Sequence, residues 1–451
     1  MRARRDLILI TLDAFRADRL GADALTPNLG TLARRGRWFR SAMSVSAHTP
    51  ESFPALFSGR CPLSIGAAVG PGAGVYLPRG ITTIAERLHD AGYTTAAIHS
   101  NPYLSRLFGY QRGFDHFDDA LRVAVSGPLA IHLQRAINYM TTRPYRAAAS
   151  VNTLALRWLD SDLLPRPFFL WLHYMDAHGP YVPSRADMRD DREGLVGPSG
   201  RSRAALWRRA KWSPQSVTTE ERTVLRDLYD AEVRGLDREI GGLVHALGDR
   251  GLIENTGLVI TSDHGEAFGE HGKFDHPNEL YDENLRVPLI VVAPGMAGTI
   301  DDTVVSTIDV AATLMDLAAL GEGLHPGSSL THRTPVDDAA VISEVSGERE
   351  DAGMQKFCVR TRTHKLVVTY RGGSPTREAL YDLVQDPGET HDVREEQFQT
   401  RDRLAEILAS HLRNHHVGAI DVLPIESADQ DPRLRHRVEE RLRDLGYLET
   451  E

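Results

Sequence analysis

An α/β fold with a mostly parallel central sheet flanked by helices, followed by a small C-terminal antiparallel α+β subdomain, is what this sequence predicts. Two observations carry the first part. Short, continuously apolar runs with many β-branched residues recur along the first two thirds of the chain, as expected of strands buried on both faces. Between them lie segments with apolar residues at helical spacing and clear start and stop residues. A third observation marks off the tail: after about Pro335 short strand-like segments follow one another, the pattern of an antiparallel sheet.

The elements follow in order. Residues 7–12 form the first buried strand, with Asp13 at its C-terminal end. Thr26 and Pro27 read as N-cap and first residue of a helix whose apolar face is Leu29, Leu32 and Ala33 and whose stop is Gly36. A second helix spans 82–91, closes on Gly92 and leads into a strand over 94–99. Strands at 168–173, 258–262 and 289–293 and a long amphipathic helix at 220–247 continue the alternation. Residues 184–214 are Arg-rich and punctuated by Gly and Pro, which reads as a solvated surface insertion. In the tail, strands are expected at 340–344, 357–361 and 366–370, with helices at 399–412 and 433–445, the last a packing or oligomer contact. The resulting division is a large α/β domain over 1–335 and a small subdomain over 336–451.

Composition narrows the function. With 52 basic and 62 acidic residues among 451 the net charge is −10, the wrong sign for a protein that coats nucleic acid. No apolar run approaches the ~18 residues that would span a bilayer. The apolar stretch at 7–12 is too short for a signal-peptide core and ends in Asp13, so a cytoplasmic protein is expected. Cys61 and Cys358 are too few and too far apart for a disulfide framework or a Cys-based metal site, and read as unpaired core thiols. Lysine is scarce, occurring only at 211, 273, 356 and 365.

Parallel sheets place ligands at the carboxyl ends of their strands. Three features fall there: Asp13, the segment Asp263-His264-Gly265-Glu266, and the loop containing Thr49. Two carboxylates and an imidazole converging at strand ends suit a divalent cation such as Mg²⁺, Ca²⁺, Mn²⁺ or Zn²⁺.

The order of motifs resembles the sulfatase family of the alkaline phosphatase superfamily. Ile10-Thr11-Leu12-Asp13-Ala14-Phe15-Arg16-Ala17-Asp18 is similar to its first metal segment, and Thr26-Pro27-Asn28-Leu29 to the helix start that follows. His178-Gly179-Pro180 resembles its central histidine motif, and Thr261-Ser262-Asp263-His264-Gly265-Glu266, followed by Arg286-Val287-Pro288-Leu289, its second metal segment. Leu380-Tyr381-Asp382-Leu383 and Asp386-Pro387-Gly388-Glu389 resemble the signature of its small C-terminal subdomain. The resemblance implies an alkaline-phosphatase-like sheet, a hydrolase of sulfuric or phosphoric esters, and one divalent metal ion (Ca, Mn, Zn or Mg).

Carried over position by position, it makes Asp13, Asp263 and His264 metal ligands. It also puts a nucleophile in the loop before Ser58-Gly59-Arg60. The family motif there is Cys or Ser, any residue, Pro, Ser, Arg. Counting back from Gly59 aligns Thr49 with the nucleophile and Ser52, a substrate-binding candidate, with the motif serine; Glu51 stands for Pro and Phe53 for Arg. The Cys or Ser is what the family oxidises to formylglycine; a Thr with its extra methyl is not a known precursor, so no formylglycine is expected. Ala14 stands where the family carries a second Asp. The leaner set of Asp13, Thr49, Asp263 and His264 resembles the threonine-nucleophile branches that cleave or transfer phosphate esters.

Metal coordination of a hydroxyl lowers its pKa and positions it for attack. Thr49 is therefore both metal ligand and nucleophile in this reading. His178 and His276 are the candidates to protonate the leaving group, since imidazole titrates near neutrality, with Lys273 as a substrate contact and His271 a weaker alternative. Arg16 and Asp18 read as a structural ion pair or caps, and His173 and Asp176 as groups that support the metal ligands from behind or as core polar groups. A two-metal centre would need about three further Asp or His ligands that the sequence does not offer at matching positions, so one metal is expected. The expected partner is a small anionic ester, with no nucleic acid and no membrane insertion. Alternatives are a phosphodiesterase, phosphonate ester hydrolase or phosphotransferase, and a non-catalytic sulfatase-like protein that binds anions.

Overall fold

A computed structural model describes residues 4–21, 24–65, 77–120, 145–161, 164–188, 200–321, 327–332, 334, 336, 338–347, 353–415 and 432–444. Its centre is an eight-stranded sheet in the spatial order Thr299–Asp301, Arg37–Phe39, Leu289–Val292, Thr256–Ser262, Asp6–Leu12, Phe168–Tyr174, Thr94–Ile98 and His116–Asp118. The three middle strands Asp6–Leu12, Phe168–Tyr174 and Thr256–Ser262 are buried along their whole length, which is why their sequences are apolar without alternation. They run parallel, as do the two strands beyond them.

Leu289–Val292 departs from that direction. It pairs antiparallel with Thr256–Ser262 and with Arg37–Phe39, so the sheet is mixed. Its residues are buried to the same degree as those of a parallel strand, and composition carries no mark of direction.

Helices cover both faces. Helix Pro27–Arg35 starts after Thr26, as the sequence predicts, yet the Thr26 hydroxyl donates to Arg19 O (2.8 Å) and does not cap it. The open amides of Asn28 and Leu29 donate instead to Asp237 on the long helix Thr219–Asp249. Close approach makes this possible: a Cβ on Gly241 would meet the Asn28 amide at 2.4 Å. Helix Ile84–Asp90 begins with a capping box between Thr83 and Glu86.

Residues 184–214 are not the expected loop where they are described. Gly200–Trp212 is a helix, buried through Ala204, Leu206, Trp207 and Ala210. Its charge masked a short apolar face. At the C-terminus four antiparallel strands, Val341–Ser346, Met354–Arg360, His364–Arg371 and Ser374–Asp382, form a separate sheet under helix Phe398–Asn414. The fourth strand carries no strand signal in the sequence because its first half is polar and exposed. Helix Pro432–Asp444 buries Val438 and Leu442 in the main core.

His99 follows strand Thr94–Ile98 in the core, its ring 5.1 Å from Trp171 and 5.2 Å from Phe117, with neither ring nitrogen hydrogen-bonded to a described residue. Burial, the largest influence, pulls its pKa down to about 3. An unfolded imidazole titrates near ~6.5, so below that pH the unfolded chain binds the extra proton. The contribution of a neutral His99 is therefore complete above about pH 6.5 and is lost as pH falls towards 3. His99→Phe is expected to remove this slope, up to about 1.4 kcal/mol per pH unit. Urea midpoints of both proteins at pH 7.5, 6.0 and 5.0 check it; parallel profiles would refute it.

Candidate active site

Strand register brings the first residues together. Leu12 pairs with both Tyr174 and Ser262, so Asp13 and Asp263 leave the sheet side by side. Asp13 N donates to Tyr174 O (2.8 Å), and the Ser262 hydroxyl donates to the carbonyl of Leu12, locking the two strand ends. Gly265 holds the second loop against residues 283 and 284; its N–H donates to Asn284 O (2.7 Å), and a Cβ there would lie 2.1 Å from Glu283 O.

Asp13, Thr49, Asp263 and His264 are fully buried and converge. Thr49 opens helix Thr49–Ser58, and its Oγ1 donates to Asp263 Oδ2 (2.7 Å) and lies 3.2 Å from His264 Nε2. His264 Nδ1 is 2.9 Å from Gly265 O, which makes Nδ1 the protonated nitrogen and leaves a lone pair on Nε2. That lone pair faces Asp263 Oδ2 at 3.6 Å and Asp13 Oδ1 at 3.8 Å. Asp13 Oδ1 has no hydrogen-bond partner among the described residues. The His264 lone pair, Asp13 Oδ1 and Asp263 Oδ2 point at one another in a dry interior with a single hydroxyl hydrogen, that of Thr49, among them, and a cation satisfies all three. The donor atoms of Asp13, Asp263 and His264 lie within 4.8 Å of one another.

Electrostatics agree with that geometry. Burial pushes Asp13 up, but His178, the hydrogen bond and charge of His173, and His264 outweigh it and hold the carboxyl below the ordinary carboxylate range. Asp263 is pushed the other way, by burial first and by the charge of Asp13 second. Two adjacent buried carboxylates resist joint ionisation unless positive charge sits between them.

The other oxygen of Asp13 is held from behind. Asn101 Nδ2 donates to Asp13 Oδ2 (2.8 Å), and His173 Nε2 contacts the same oxygen at 3.1 Å. The orientation of His173 is fixed through its Nδ1, 3.0 Å from Thr11 Oγ1, which in turn accepts from Trp171 Nε1 (2.9 Å). Sequence reasoning offered His173 as a support for the metal ligands or a core polar group, and it missed Asn101. An asparagine after a strand carries no signal of its own.

His178 and His276 meet beside this group. Their Nε2 atoms are 3.1 Å apart, and the His276 and His264 rings are 4.4 Å apart between centroids. His178 Nδ1 lies 2.6 Å from Gly179 O, so in the neutral ring it carries the proton and Nε2 accepts from His276. Burial, reinforced by His264, His178 and Lys211, holds His276 well below the usual imidazole range. With Asp275 these histidines form a second group of donors within 4.8 Å, a cluster unforeseen in the sequence. Lys211 Nζ sits on Asp275 Oδ2 (2.5 Å) and supplies positive charge there. Helix Gly200–Trp212 delivers Lys211 and lays Trp207 over Gly179, where a Cβ would be 2.0 Å from the indole nitrogen.

Two substrate candidates from the sequence are placed elsewhere. Lys273 is exposed, and its backbone turns with Gly269 and Glu270; the lysine beside the histidines is Lys211, 62 residues earlier, on the helix the sequence reading missed. Ser52 is buried but faces backwards: its hydroxyl donates to Ser46 O (3.1 Å) and meets Ser44 Oγ (3.1 Å), and Ser44 Oγ bonds the Asp263 carbonyl. It braces the loop. His271 stacks on Tyr281 with centroids 3.5 Å apart. Arg16 pairs with Asp18 (2.8 Å) and Glu270 (2.9 Å), as a structural ion pair would.

The atypical helix residues have partners of their own. Phe53 packs on Trp171 and, edge-on, on His173 at 5.1 Å. Glu51 accepts from the Ser46 hydroxyl and from Ser346 N (3.1 Å), tying the helix start to the C-terminal sheet. A cavity of about 1250 Å³ lies beside Arg5, Asn255 and Pro294, towards the opposite strand ends, and contains none of the converging side chains.

Comparisons with known proteins can be set against this geometry. The sequence profile described as Sulfatase matches residues 5–320, and the one described as N-sulphoglucosamine sulphohydrolase, C-terminal, matches residues 269–416. Choline-sulfatase of Rhizobium meliloti (strain 1021) is 25% identical over 410 residues, covering 82% of this chain and 77% of the relative. Among solved structures, BT4656 in complex with its substrate D-glucosamine-2-N,6-O-disulfate superposes with a TM-score of 0.70 at 20% identity, covering 92% of this chain and 98% of that one. The phosphonate monoester hydrolase of Agrobacterium radiobacter superposes with a TM-score of 0.69 at 20% identity, covering 91% and 96%. At these identities the structural likeness shows a shared fold.

Proposed function

This chain belongs to the sulfatase family and is an ester-bond hydrolase of that family, and from that premise we propose that it is a metal-dependent enzyme whose nucleophile is Thr49. Asp13, Asp263 and His264, with Thr49 itself, hold a single divalent cation in this reading. The observation that carries it is the position of Thr49 Oγ1, 2.7 Å from Asp263 Oδ2 and 3.2 Å from His264 Nε2, where Asp13 Oδ1 has no hydrogen-bond partner among the described residues. When bound, such a cation lowers the pKa of a coordinated hydroxyl and offsets charge on the substrate's oxygens.

The residues then act in sequence. Asp263 Oδ2 accepts the Thr49 proton, and the first turn of helix Thr49–Ser58 favours the resulting negative charge. Thr49 Oγ1 bonds to sulfur or phosphorus while the bond to the ester oxygen breaks, and the departing alkoxide takes a proton from the His178–His276 pair when that pair carries one proton beyond its neutral form. Water then attacks the Thr49 ester and gives its proton back to the pair, the bond from Thr49 Oγ1 to sulfur or phosphorus breaks, and Asp263 returns its proton to the freed threonine oxygen. Asn101 and His173 keep Asp13 aimed throughout. Lys211, beside Asp275, adds cationic charge near the histidines, so an acidic chain of net charge −10 presents local positive charge to an anionic ester.

A second reading, with a phosphodiester or phosphonate ester as the natural substrate, is favoured by Thr49 itself. Hydrated formylglycine can release sulfate by elimination, whereas a threonine sulfate has to be cleaved by a second attack at sulfur. The test is a matrix of aryl sulfate, phosphate monoester, phosphodiester and phosphonate ester against Mn²⁺, Zn²⁺, Mg²⁺ and Ca²⁺, with intact-mass measurement of the same sample. Dication-dependent turnover by a protein of unmodified mass is expected. Turnover without a dication, or a loop at 46–52 carrying an oxidised residue, would overturn the mechanism.

A further inference from the structure

Past the helix that Thr49 opens, the chain runs directly into the C-terminal subdomain. Helix Thr49–Ser58 closes on Gly59 at φ 67°, and Arg60 and Cys61 lead into the single turn Pro62–Ile65. Leu63 N donates to Glu344 Oε1 (2.6 Å) on strand Val341–Ser346, and Leu63 packs in the cluster that holds Leu404 and Leu408 of helix Phe398–Asn414. The same helix presents His411 and, at its C-cap, His415, four residues apart and hence on one face. Their ring centroids are 4.5 Å apart. His411 Nε2 is buried with no hydrogen-bond partner among the described residues. Cys61 Sγ and one nitrogen from each of these imidazoles lie within 4.8 Å of one another.

We propose that Cys61, His411 and His415 form a second metal site, for a borderline-soft dication such as Zn²⁺, that clasps the exit of the Thr49 helix to the C-terminal helix. One thiolate and two imidazoles suit zinc, and oxygen-seeking Mg²⁺ and Ca²⁺ poorly. With Zn–S near ~2.3 Å and Zn–N near ~2.05 Å, tetrahedral donors sit about 3.4–3.6 Å apart. Donors already within 4.8 Å therefore close by about 1.4 Å at most, through side chains of half-buried residues. Three protein donors leave a fourth position for water. Loading exchanges the thiol proton for the metal: the S–H bond breaks, the S–Zn bond forms and the proton leaves to solvent. Cys358 is fully buried within strand Met354–Arg360 and takes no part. The sequence hid this site because the thiol stands 350 residues before the nearer histidine.

Cobalt(II) reads the site independently of turnover, since thiolate ligation produces a charge-transfer band in the near ultraviolet that carboxylate and imidazole ligands do not. The full-length protein loaded with Co²⁺ is expected to show the band, and Cys61→Ser and His415→Asn to lose it. Asp263→Asn, at the other site, is expected to keep it. Zinc analysis after dialysis should give Cys61→Ser one equivalent less than the parent. Circular dichroism identifies any variant that has lost its fold, and His415→Asn, at the end of its helix, is the control against that outcome. The proposal is overturned if the parent shows no thiolate band, if the band survives Cys61→Ser, or if a folded Cys61→Ser binds as much zinc as the parent.

Discussion

Thr49→Ala is expected to lower kcat on every sulfate and phosphate ester the enzyme turns over by ~10⁴-fold or more, while the protein stays folded and still binds its dication, more weakly. The size follows from what is removed. Among the described residues Thr49 Oγ1 is the one hydroxyl that touches both Asp263 Oδ2 and His264 Nε2, and the neighbouring serines are engaged elsewhere: Ser46 is bound to Glu51, and Ser52 to Ser44 and to Ser46 O. The fold should survive, because truncation of a buried threonine deletes one methyl and one hydroxyl at a helix start whose first bonds, Glu51 N and Ser52 N to His48 O, remain. Thr49→Ser keeps the oxygen and is expected to retain most activity. Mass spectrometry of the enzyme quenched with a slow substrate should find one sulfate or phosphate on Thr49 in the parent and none in the alanine variant. Wild-type turnover by Thr49→Ala would dismiss Thr49 as nucleophile.

The sequence was informative about this site where chemistry and backbone order coincide. Asp13, Asp263 and His264 stand directly after strands whose apolar runs are unambiguous, and register then forces them together. Thr49 could be aligned because the family resemblance fixes its distance from Gly59, the residue that ends its helix in a left-handed conformation. What could not be read depends on tertiary placement. Lys211 lies on a helix whose charged residues hid a narrow apolar face, so the lysine nearest in sequence, Lys273, was preferred although it points to solvent. Asn101 matters only because strand Thr94–Ile98 is two places from Asp6–Leu12 in the sheet. The direction of Leu289–Val292 was illegible for a similar reason: a strand covered on both sides looks the same whichever way it runs.

Asp263→Asn should separate the two roles of the carboxylate pair by moving stability and activity in opposite directions. In the metal-free protein the Asp263 and Asp13 carboxylates are buried beside each other, and burial and mutual charge raise Asp263 above its ordinary range. A carboxyl raised in the folded state favours the protonated form, so its contribution is present at low pH and is lost as pH climbs through the folded pKa. At neutral pH the apo protein bears that cost. Asparagine has nearly the same shape, and its carbonyl oxygen can still accept from His264 N (3.0 Å) and Ala14 N (3.3 Å), so Asp263→Asn removes the repulsion without removing the loop's bonds. The apo variant is expected to melt at or above the parent's Tm, and the margin to shrink as pH is lowered. With the dication present the order reverses. The parent gains stability as the cation binds, about 2.7 kcal/mol at a hundred times Kd, and the variant, with one charge fewer against the cation, gains far less. Turnover should fall by ~10³-fold or more, since the same oxygen takes the Thr49 proton. Thermal melts with chelator and with Mn²⁺, alongside initial rates, measure all three quantities. An apo variant much less stable than the parent, or one with the parent's full metal-induced shift in Tm, would mean that Asp263 is a structural carboxylate and not a cation ligand.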